Sequence, residues 1–550
     1  MARTAHVDTF VRDNLPPKEQ WPQFIFSLPE LQYPERLNCV SAFLDRWVEE
    51  GRGDEPCLVT PQETLSYREL QERVDRICHV LVNQLGLVTG GRVLLRSANN
   101  AMLVATYLAV LKAGGIVVAT MPLLRAKELA QLVRKARIGL ALCDHRLLEE
   151  LERAVSLAPE LKGVVAWGSG QGGDLEGLMS QVSGPFPAVD TAAGDACLIA
   201  FTSGTTGEPK GTVHFHRDLL AICDSYSHHV LRARPEDRFI GSPPLAFTFG
   251  LGGIVLFPMR IGASAVLLEK GAPDDLLAAI ARYRASVCFT APTAYRAMLT
   301  KLQDHDVSSL RKCVSAGETL PKATFDAFFQ ATGLRLMDGI GATEMLHIFI
   351  AAREEDIRLG ATGKPVPGYE AKIIDETGRE LPPGAIGRLV VRGPTGCRYL
   401  NDERQRRYVE NGWNVTGDTY IMDEDGYFWY QARSDDMIVS SGYNIAGPEV
   451  EAALLTHEAV AECGVVGVPD SERGMIVKAY VVLQAGHSPG GDLVKAIQEH
   501  VKAEIAPYKY PRVIDFVDAL PRTPTGKLQR FELRRIALEQ AAAANAAAAE

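Results

Sequence analysis

The stretch FTSGTTGEPKG, residues 201–211, begins at the end of the apolar run CLIAF, which is typical of a buried β-strand. Its glycines allow backbone N–H groups to face an anion, its hydroxyls donate further hydrogen bonds, and its lysine adds positive charge. A flexible surface loop is the alternative, but one ordered pattern of this length behind a strand favours a polyphosphate-binding loop. The Gly and Lys spacing does not fit the GxxxxGK pattern of a P-loop. The predicted phosphate contacts are Thr202, Ser203, Gly204, Thr205, Thr206, Gly207 and Lys210.

The composition is that of an ordinary globular protein with more than one domain. The chain has 550 residues, of which 46% are hydrophobic and 23% charged, and this length exceeds what a single core usually supports. A net charge of -10 is contrary to the basic surface that nucleic-acid binding needs. The ten cysteines are scattered without metal-binding spacing, and no apolar run is long enough to span a membrane. We therefore expect a cytoplasmic protein with no nucleic-acid partner and no membrane partner.

Apolar strand-like runs alternate with helical patterns in the first part of the chain, as in RVLLRS, MLVATYLAVLKAG, IVVAT, KELAQLVRKA and GLALCD. This alternation predicts an α/β fold in which crossover helices join parallel strands. We assign residues 1–432 to a large N-terminal body of parallel-sheet α/β layers that ends in a small β-rich subdomain. Residues 433–438 are the predicted hinge, and residues 439–538 a small mobile α+β domain. Residues 539–550 are a low-complexity, alanine-rich tail that is either a frayed helix or disordered.

Further motifs follow the loop in a fixed order: GIGATE at 339–344, VTGD at 415–418, QARSDD at 431–436 and PRTPTGKLQR at 521–530. Together with the loop they resemble the adenylate-forming superfamily, which includes acyl- and aryl-CoA synthetases, luciferases and peptide-synthetase adenylation domains. In that superfamily the loop holds the ATP phosphates. The resemblance assigns Thr343 to the adenylate phosphate and the acyl carboxylate, Glu344 to Mg²⁺, and Lys527 to the catalysis of adenylate formation.

The resemblance also implies where adenine, the hinge and CoA lie. A Tyr usually stands where this chain has Ile340, so adenine would rest on an aliphatic side chain. Asp435 is the implied pivot about which the small domain turns between two half-reactions. The pantetheine arm of CoA is expected beside Ser441, Gly442 and Tyr443. The implied adenine and ribose contacts are Ala316, Gly317, Glu318, Asp338, Gly339, Ile340, Asp418 and Arg433.

Two segments, PPLAFTFGLGG at 243–253 and EMLHIFIAA at 344–352, are implied to line an acid pocket. Their aromatic and aliphatic side chains suit a flat ring, and the first segment has no carboxylate for an amino-acid ammonium group. Plain core packing is the alternative for the two phenylalanines of the first segment. GIGATEMLHIF and TGKPVPGYE resemble the benzoate-CoA ligase and 2-aminobenzoate-CoA ligase branch. The expected pocket residues are Phe247, Thr248, Phe249, Gly341, His347 and Ile348.

The resemblance thus predicts an AMP-forming acid–thiol ligase. Its expected reaction converts an aromatic acid, ATP and CoA into aryl-CoA, AMP and diphosphate through an aryl-adenylate, with Mg²⁺ and with 2-aminobenzoate or benzoate as the acid. The Thr248 hydroxyl is expected to accept a hydrogen bond from an ortho amino group. Alternatives stay open: a ligase for fatty or phenylacetic acid, an adenylating enzyme that loads a carrier protein, and a nucleotide sensor without catalysis. We expect small-molecule partners, with a homodimer as an additional possibility.

Overall fold

The structure is a computed structural model that describes residues 3–170, 174–202, 208–433, 436–440, 443–470, 473–505, 507–523 and 526–549. None of the helices in these ranges combines the length and the apolar character that crossing a bilayer requires. The following bounds define the labels used below.

The strands, in chain order, are β1 (Pro56–Val59), β2 (Thr64–Ser66), β3 (Arg92–Arg96), β4 (Ile116–Thr120), β5 (Leu140–Asp144), β6 (Gly163–Trp167), β7 (Ala196–Thr202), β8 (Lys210–Phe215), β9 (Arg238–Gly241), β10 (Ser264–Val266), β11 (Val287–Thr290), β12 (Lys312–Ala316), β13 (Leu336–Gly341), β14 (Ile348–Ala351), β15 (Lys364–Pro365), β16 (Glu370–Ile374), β17 (Ile386–Arg392), β18 (Val409–Glu410), β19 (Trp413–Met422), β20 (Phe428–Arg433), β21 (Ile438–Ser440), β22 (Tyr443–Ile445), β23 (Val460–Asp470), β24 (Gly474–Leu483) and β25 (Val513–Phe516).

The α-helices are α1 (Phe10–Asp13), α2 (Arg46–Glu49), α3 (Tyr67–His79), α4 (Ala101–Lys112), α5 (Ala126–Ala136), α6 (Leu148–Leu157), α7 (Leu175–Met179), α8 (His216–Ile222), α9 (Thr248–Gly250), α10 (Phe257–Ile261), α11 (Pro273–Tyr283), α12 (Pro292–Met298), α13 (Lys322–Thr332), α14 (Gln405–Tyr408), α15 (Gly447–Leu454), α16 (Gly491–Glu504) and α17 (Arg530–Ala549). Segments with π-helical hydrogen bonding are Ser41–Asp45, Val80–Gln84, Cys223–Leu231 and Leu251–Leu256. Short 3₁₀ turns are Lys18–Gln20, Pro29–Leu31, His145–Leu147, Leu302–Asp304, Thr343–Met345, Glu354–Asp356 and Pro507–Lys509.

Two mostly parallel sheets form the main body of the protein. One has the strand order β15-β14-β13-β12-β11-β9-β10-β1-β2, and the other has the order β6-β5-β3-β4-β7-β8. Antiparallel pairing occurs at their edges, where β13 pairs with β14 and β7 pairs with β8. Because the crossovers are helical, the carboxyl ends of the parallel strands meet along one edge of each sheet, where ligands commonly bind.

Helix α4 shows how the two sheets share a core. Nearly every side chain of this helix is buried, as expected for a helix that is apolar on all sides. Asn100 caps it by accepting a hydrogen bond from the Leu103 N–H at 2.9 Å. One continuous hydrophobic cluster includes α4 together with residues of both sheets, such as Val93 of β3 and Phe289 of β11. The sheets therefore pack into one body rather than two.

Two smaller sheets follow along the chain. An antiparallel sheet with the order β16-β17-β19-β18, to which β20 adds beside β19, ends the large body. The last sheet has the order β22-β21-β24-β23, with β25 parallel to β24, and packs against α15 and α16 around its own core. This arrangement confirms the predicted α/β class with a small α+β unit at the C-terminal end.

The structure modifies two details near the predicted domain limits. Strand β21 begins at Ile438, inside the predicted hinge of residues 433–438. Helix α17 continues through the start of the predicted tail at residue 539, so the backbone of the alanine-rich segment extends a helix up to Ala549. Alanine has the highest helix propensity, which accounts for this extension. The domain boundaries themselves stay predictions.

The buried Lys112 at the end of α4 gives a test of this core. Its Nζ lies 2.8 Å from Asp45 Oδ1 and 2.6 Å from Asp75 Oδ1, with 3% of the lysine side chain exposed. Lys112→Ala would leave two carboxylates facing each other without a cation, so we expect unfolding free energy to fall by about 3–5 kcal/mol. Guanidinium unfolding followed by circular dichroism measures this loss. Lys322→Ala, which breaks the exposed pair with Asp326, is the matched control and should cost less than about 1 kcal/mol. Equal losses of unfolding free energy in the two variants would contradict a special role for the buried Lys112 in the core.

Candidate active site

Lys210 is the first residue of β8 and lies opposite Thr202, the last residue of β7, in the antiparallel register. Its Nζ donates to Tyr399 OH at 3.2 Å and lies 3.7 Å from Glu344 Oε1. Tyr399 OH in turn donates to Glu344 Oε1 at 2.5 Å. Burial and the negative charge of Glu344 raise the pKa of Tyr399, so its phenol stays protonated. An ammonium, a phenol and a carboxylate therefore form one connected group at Lys210, the last of the predicted phosphate contacts.

Tyr399 reaches this position through backbone pairing with β8. The Val213 N–H donates to the Arg398 carbonyl at 2.9 Å, and the Leu400 N–H donates to the Gly211 carbonyl at 2.8 Å. These bonds align residues 398–400 beside β8, so that Tyr399 faces Lys210. Sequence reasoning missed this tyrosine because nothing near it in the sequence indicates a contact with a residue 189 positions away.

Thr343 and Glu344 lie on the short turn Thr343–Met345 between β13 and β14. His214 Nε2 lies 2.8 Å from the Thr343 carbonyl oxygen, and because a carbonyl only accepts, the imidazole carries its proton on Nε2. Leu346 follows the turn with φ at +70°, a conformation that is strained for a residue with a side chain. The turn is thus held in an unusual conformation by contacts from a neighbouring strand.

The predicted adenine contacts lie at the carboxyl ends of β12 and β13. These strands are parallel and in a register that places Ser315 beside Asp338 and Ala316 beside Gly339. Gly317 follows with φ at +91°, which favours glycine. Burial raises the pKa of Asp338 to about 7, and its Oδ1 is buried without a hydrogen-bond partner among the described residues. An unpaired buried oxygen of this kind is suited to a donor from a bound ligand.

The predicted ribose contacts face each other across β19 and β20. Asp418 pairs with Arg433 in the antiparallel register, and Arg433 Nη1 donates to Asp418 Oδ1 at 3.0 Å. Burial raises the pKa of Asp418, although Arg433 acts in the opposite direction. Gly417, with φ at +76°, leaves room for the guanidinium, since a Cβ there would lie 3.2 Å from Arg433 Nη2. A carboxylate aligned in this way can accept hydrogen bonds from vicinal hydroxyls.

Lys527 enters the same region from the small C-terminal unit. A Cβ added to Gly317 would lie 3.5 Å from Lys527 Cε and 3.7 Å from its Nζ. Burial lowers the pKa of Lys527, whereas the charges of Glu318 and Asp418 favour its protonated form. Its turn is closed by the Thr523 N–H, which donates to the Lys527 carbonyl at 2.8 Å. The predicted catalytic lysine and the predicted nucleotide residues therefore share one cleft.

An aromatic cluster surrounds His347, which comes directly after Leu346. The His347 ring centroid lies 4.6 Å from that of Phe257, 5.5 Å from Tyr226 and 5.6 Å from Phe249. Burial lowers the pKa of His347 to about 3, although a hydrogen bond with the Phe249 backbone acts in the opposite direction. The imidazole therefore behaves as a neutral aromatic ring at physiological pH. A Cβ at Gly252 would lie 2.4 Å from His347 Cδ2, so the cluster requires glycine there.

The chain matches a known family over most of its length. The family described as AMP-binding enzyme matches residues 44–399, and the AMP-binding enzyme C-terminal domain matches residues 449–527. The protein belongs to the AMP-binding enzyme family. The resemblance that the sequence motifs indicated is thereby confirmed.

Individual members of the family extend this likeness. A benzoate–CoA ligase from Thauera aromatica is 36% identical over 512 residues, which cover 92% of this chain and 97% of the relative. The solved structure of the anthranilate CoA ligase AuaEII with anthranoyl-AMP is 36% identical, covers 94% of this chain and 100% of its own, and has a TM-score of 0.89. A benzoate CoA ligase from Burkholderia xenovorans LB400 is 32% identical, with coverage of 90% and 99% and a TM-score of 0.82.

The other residues predicted to line the acid pocket lie at different positions in this AMP-binding enzyme. Phe247 directly precedes α9 and Thr248 is its first residue; the Thr248 hydroxyl makes no hydrogen bond with another described residue. Gly341 lies against the His347 backbone, where a Cβ would come within 2.8 Å of a carbonyl oxygen. Ile348 is buried and packs over Gly339 in the adjacent strand. Sequence reasoning missed Tyr226 and Phe257, because helical aromatic residues far from the motifs look like ordinary core residues.

Several predicted site residues lie outside the part of the chain that the structure describes. The predicted residues outside the described ranges are Ser203, Gly204, Thr205, Thr206, Gly207, Asp435, Ser441 and Gly442. Tyr443, the third predicted CoA-tunnel residue, begins β22. Their roles stay predictions.

Tyr399→Phe tests the connected group of Lys210, Tyr399 and Glu344. Without the hydroxyl, Glu344 loses a donor and Lys210 loses an acceptor, so both side chains should be less well positioned. We expect ATP–diphosphate exchange to fall by about tenfold or more, in line with the roughly 1.5–3 kcal/mol of a hydrogen bond to a charged group. Tyr408→Phe is the control, because the Tyr408 ring centroid lies 5.6 Å from that of Tyr399 and its hydroxyl has no hydrogen-bond partner in the described part of the chain. An equal effect of both substitutions would argue against a specific role for Tyr399.

Proposed function

We propose that this AMP-binding enzyme is an ATP-dependent aryl-CoA ligase that activates a small aromatic carboxylate as its aryl-adenylate and transfers the acyl group to CoA. The observation that carries the proposal is a single turn, residues 343–347. Glu344 near its start contacts Lys210 and Tyr399, whereas His347 lies within the aromatic cluster. An acid bound along this turn would have its carboxylate at the phosphate-binding end and its ring among aromatic side chains.

The aromatic cluster supports a flat, uncharged ring as the acyl group. Tyr226, Phe249 and Phe257 surround a His347 that is neutral, and offset or edge-to-face contacts among such rings contribute about 0.5–1.5 kcal/mol each beyond burial. The benzoate and anthranilate specificities of the named relatives point to the same class of acid. Benzoate and 2-aminobenzoate are therefore the proposed substrates.

The first half-reaction joins two anions, so its barrier depends on positive charge. A carboxylate oxygen attacks the α-phosphorus of ATP, an oxygen–phosphorus bond forms, and diphosphate leaves with the electrons of the broken bond. Lys210 would contact the polyphosphate, and Lys527 would offset charge that develops between the carboxylate and the α-phosphate. Both ammonium groups are already inside the cleft, which avoids reorganisation during the reaction.

Glu344 fits the Mg²⁺ that accompanies ATP. Its carboxylate is the kind of hard oxygen ligand that Mg²⁺ prefers, and it lies next to Lys210, where the phosphates are expected. When bound, Mg²⁺ neutralises phosphate charge and orients the polyphosphate. Tyr399 donates to Glu344 and so fixes the direction of this carboxylate.

The second half-reaction transfers the acyl group to sulfur. The CoA thiol attacks the acyl carbonyl carbon, a carbon–sulfur bond forms, and AMP leaves as the carbon–oxygen bond breaks and the thiol proton is released. We propose that the small unit turns about Asp435 between the two steps, removes Lys527 from the cleft and brings residues 441–443 to the pantetheine arm. Glycine at position 442 would leave room for this thin chain.

Simple assays distinguish the proposed function from three other functions. A fatty-acid ligase would prefer a medium-chain acid, a carrier-loading enzyme would release AMP without free CoA, and a nucleotide sensor would not catalyse ATP–diphosphate exchange. The cytoplasmic location, the homodimer and the lack of nucleic-acid and membrane partners stay predictions from the sequence. The decisive experiment is AMP release measured with and without CoA in the presence of benzoate.

Lys527→Ala separates the two half-reactions. Because Lys527 is placed to act only while adenylate forms, we expect ATP–diphosphate exchange to fall by several orders of magnitude. Conversion of supplied benzoyl-AMP and CoA into thioester should continue. Lys509→Ala, on the same unit but paired with Glu449 at 2.5 Å, is the control and should leave both half-reactions unchanged. Equal loss of both half-reactions in Lys527→Ala would rule out the two-step arrangement.

Thr248→Ala tests the preference for 2-aminobenzoate. A hydrogen bond from an ortho amino group to the Thr248 hydroxyl would contribute about 1 kcal/mol, so the variant should lose several-fold in kcat/KM for 2-aminobenzoate and little for benzoate. The panel is benzoate, 2-aminobenzoate, 2-hydroxybenzoate, phenylacetate and a medium-chain fatty acid. Tyr226→Phe is the parallel variant, because the Tyr226 hydroxyl is buried without a hydrogen-bond partner among the residues that the structure describes.

The outcomes of this panel are distinct. A clear preference for the fatty acid would overturn the aryl assignment. Benzoate ahead of 2-aminobenzoate in the wild type would remove only the ortho-amino preference. A loss confined to Tyr226→Phe would move the amine-binding role from Thr248 to Tyr226.

A further inference from the structure

A group of metal-ligand side chains lies outside the active site, where an N-terminal turn meets a helix. Glu30 is on the turn Pro29–Leu31, and His228 and His229 are near the end of the helical segment Cys223–Leu231. One donor atom from each residue lies within 4.8 Å of the donor atoms of the other two. Two imidazoles and a carboxylate form a ligand set that zinc binds in proteins.

The distance between two of these donors suits a shared metal ion. Glu30 Oε1 and His229 Nε2 are 3.0 Å apart, which is close to the separation of two ligands bound to one ion at about 2.0–2.2 Å. The same contact is an ion pair when His229 is protonated, so a metal ion would take the place of the proton on Nε2. Among the described residues, Glu30 Oε2 is buried without a hydrogen-bond partner. A cation bound between Glu30 and His229 would be shared by both side chains.

Contacts that do not involve a metal hold the turn Pro29–Leu31 against the helical segment Cys223–Leu231. Tyr33 OH donates to Asp224 Oδ2 at 2.9 Å, which ties the segment that follows Glu30 to the start of the same helical segment. Arg260 Nε donates to the other oxygen of Asp224 at 2.8 Å. Leu31 is buried beside Glu30. The ligands are therefore brought into reach by contacts that do not involve them, which lowers the cost of ordering a site.

Two arginines lie near the ligand group. Arg353 Nε donates to the His229 carbonyl oxygen at 3.0 Å, so this guanidinium is held at the backbone of a ligand residue. Arg232, on the same helical end, lies 2.7 Å from Glu355, which offsets its charge. His228 is exposed, so its ring can be approached from solvent.

We propose that Glu30, His228 and His229 form a zinc-binding site on the surface of the large domain. The remaining coordination positions would be filled by water, because no other described His, Cys, Asp or Glu side chain joins this group. The site is separate from the Mg²⁺ position proposed at Glu344, which has no nitrogen ligand. All the cysteines are buried, so thiols do not compete for the ion in the folded protein.

Metal titration of the EDTA-treated full-length protein tests the proposal. Co²⁺ is the spectroscopic probe, because imidazole and carboxylate ligands produce visible absorption bands, and Zn²⁺ added afterwards should displace it. We expect one equivalent of Zn²⁺ to bind, with excess Mg²⁺ present throughout because Mg²⁺ prefers oxygen ligands. Zinc should also raise the thermal midpoint in a concentration-dependent way, since it binds the folded state.

The variants are His229→Ala and the nearly isosteric Glu30→Gln. Each should weaken Zn²⁺ binding by at least about tenfold and change the Co²⁺ spectrum, while circular dichroism and ATP–diphosphate exchange stay as in the wild type. His457→Ala is the control, because His457 and His500 form another imidazole pair with ring centroids 5.1 Å apart. Unchanged zinc affinity in both test variants, or loss of binding in the His457→Ala control, would overturn the proposal.

Discussion

The short turn between β13 and β14 is the constraint on which the rest of the site depends. Two hydrogen bonds hold its carbonyl groups: His214 Nε2 donates to Thr343 O at 2.8 Å, and Thr395 Oγ1 donates to Met345 O at 2.7 Å. The positive φ of Leu346 costs of order 1–3 kcal/mol, and such strain persists only where surrounding contacts determine it. Because of this turn, the Glu344 carboxylate beside Lys210 and the aromatic-facing His347 are separated by only two residues.

A buried ion pair adds to the structural support of this turn. Asp218 and Arg398 are almost inaccessible to solvent and lie 2.7 Å apart, and Arg398 also covers the rings of Phe215 at 3.6 Å and Phe24 at 4.5 Å. Burial lowers the pKa of Arg398 to about 10, which still leaves it charged at neutral pH. Arg398 directly precedes Tyr399, so the pair also fixes the tyrosine that contacts Glu344. The N-terminal segment that carries Phe24 is therefore part of the large domain's structural support.

Electrostatics connect the two parts of the protein. Lys527 approaches Gly317 from the small unit, and the negative charges of Glu318 and Asp418 offset the cost of placing an ammonium group in the cleft. One ion pair between the two parts is weak: Arg296 Nη2 lies 3.8 Å from Glu462 Oε1 at a partly exposed position. An exposed ion pair of this kind contributes at most about 1 kcal/mol. Helix α15 of the small unit also lies against β20 of the large body.

The sequence by itself determined the α/β class, the family and the motif residues of the cleft. Lys210, Glu344 and Lys527 were identifiable because each belongs to a motif whose residues are close in sequence. Tyr399 and Tyr226 were not, and neither was the zinc ligand set, since each depends on contacts between segments far apart in the chain. Local patterns specify strands, helices and loops, because periodicity and turn chemistry act over a few residues. Which distant side chains meet was decided only by tertiary packing, since strand order and register bring together residues whose pairing leaves no local signal.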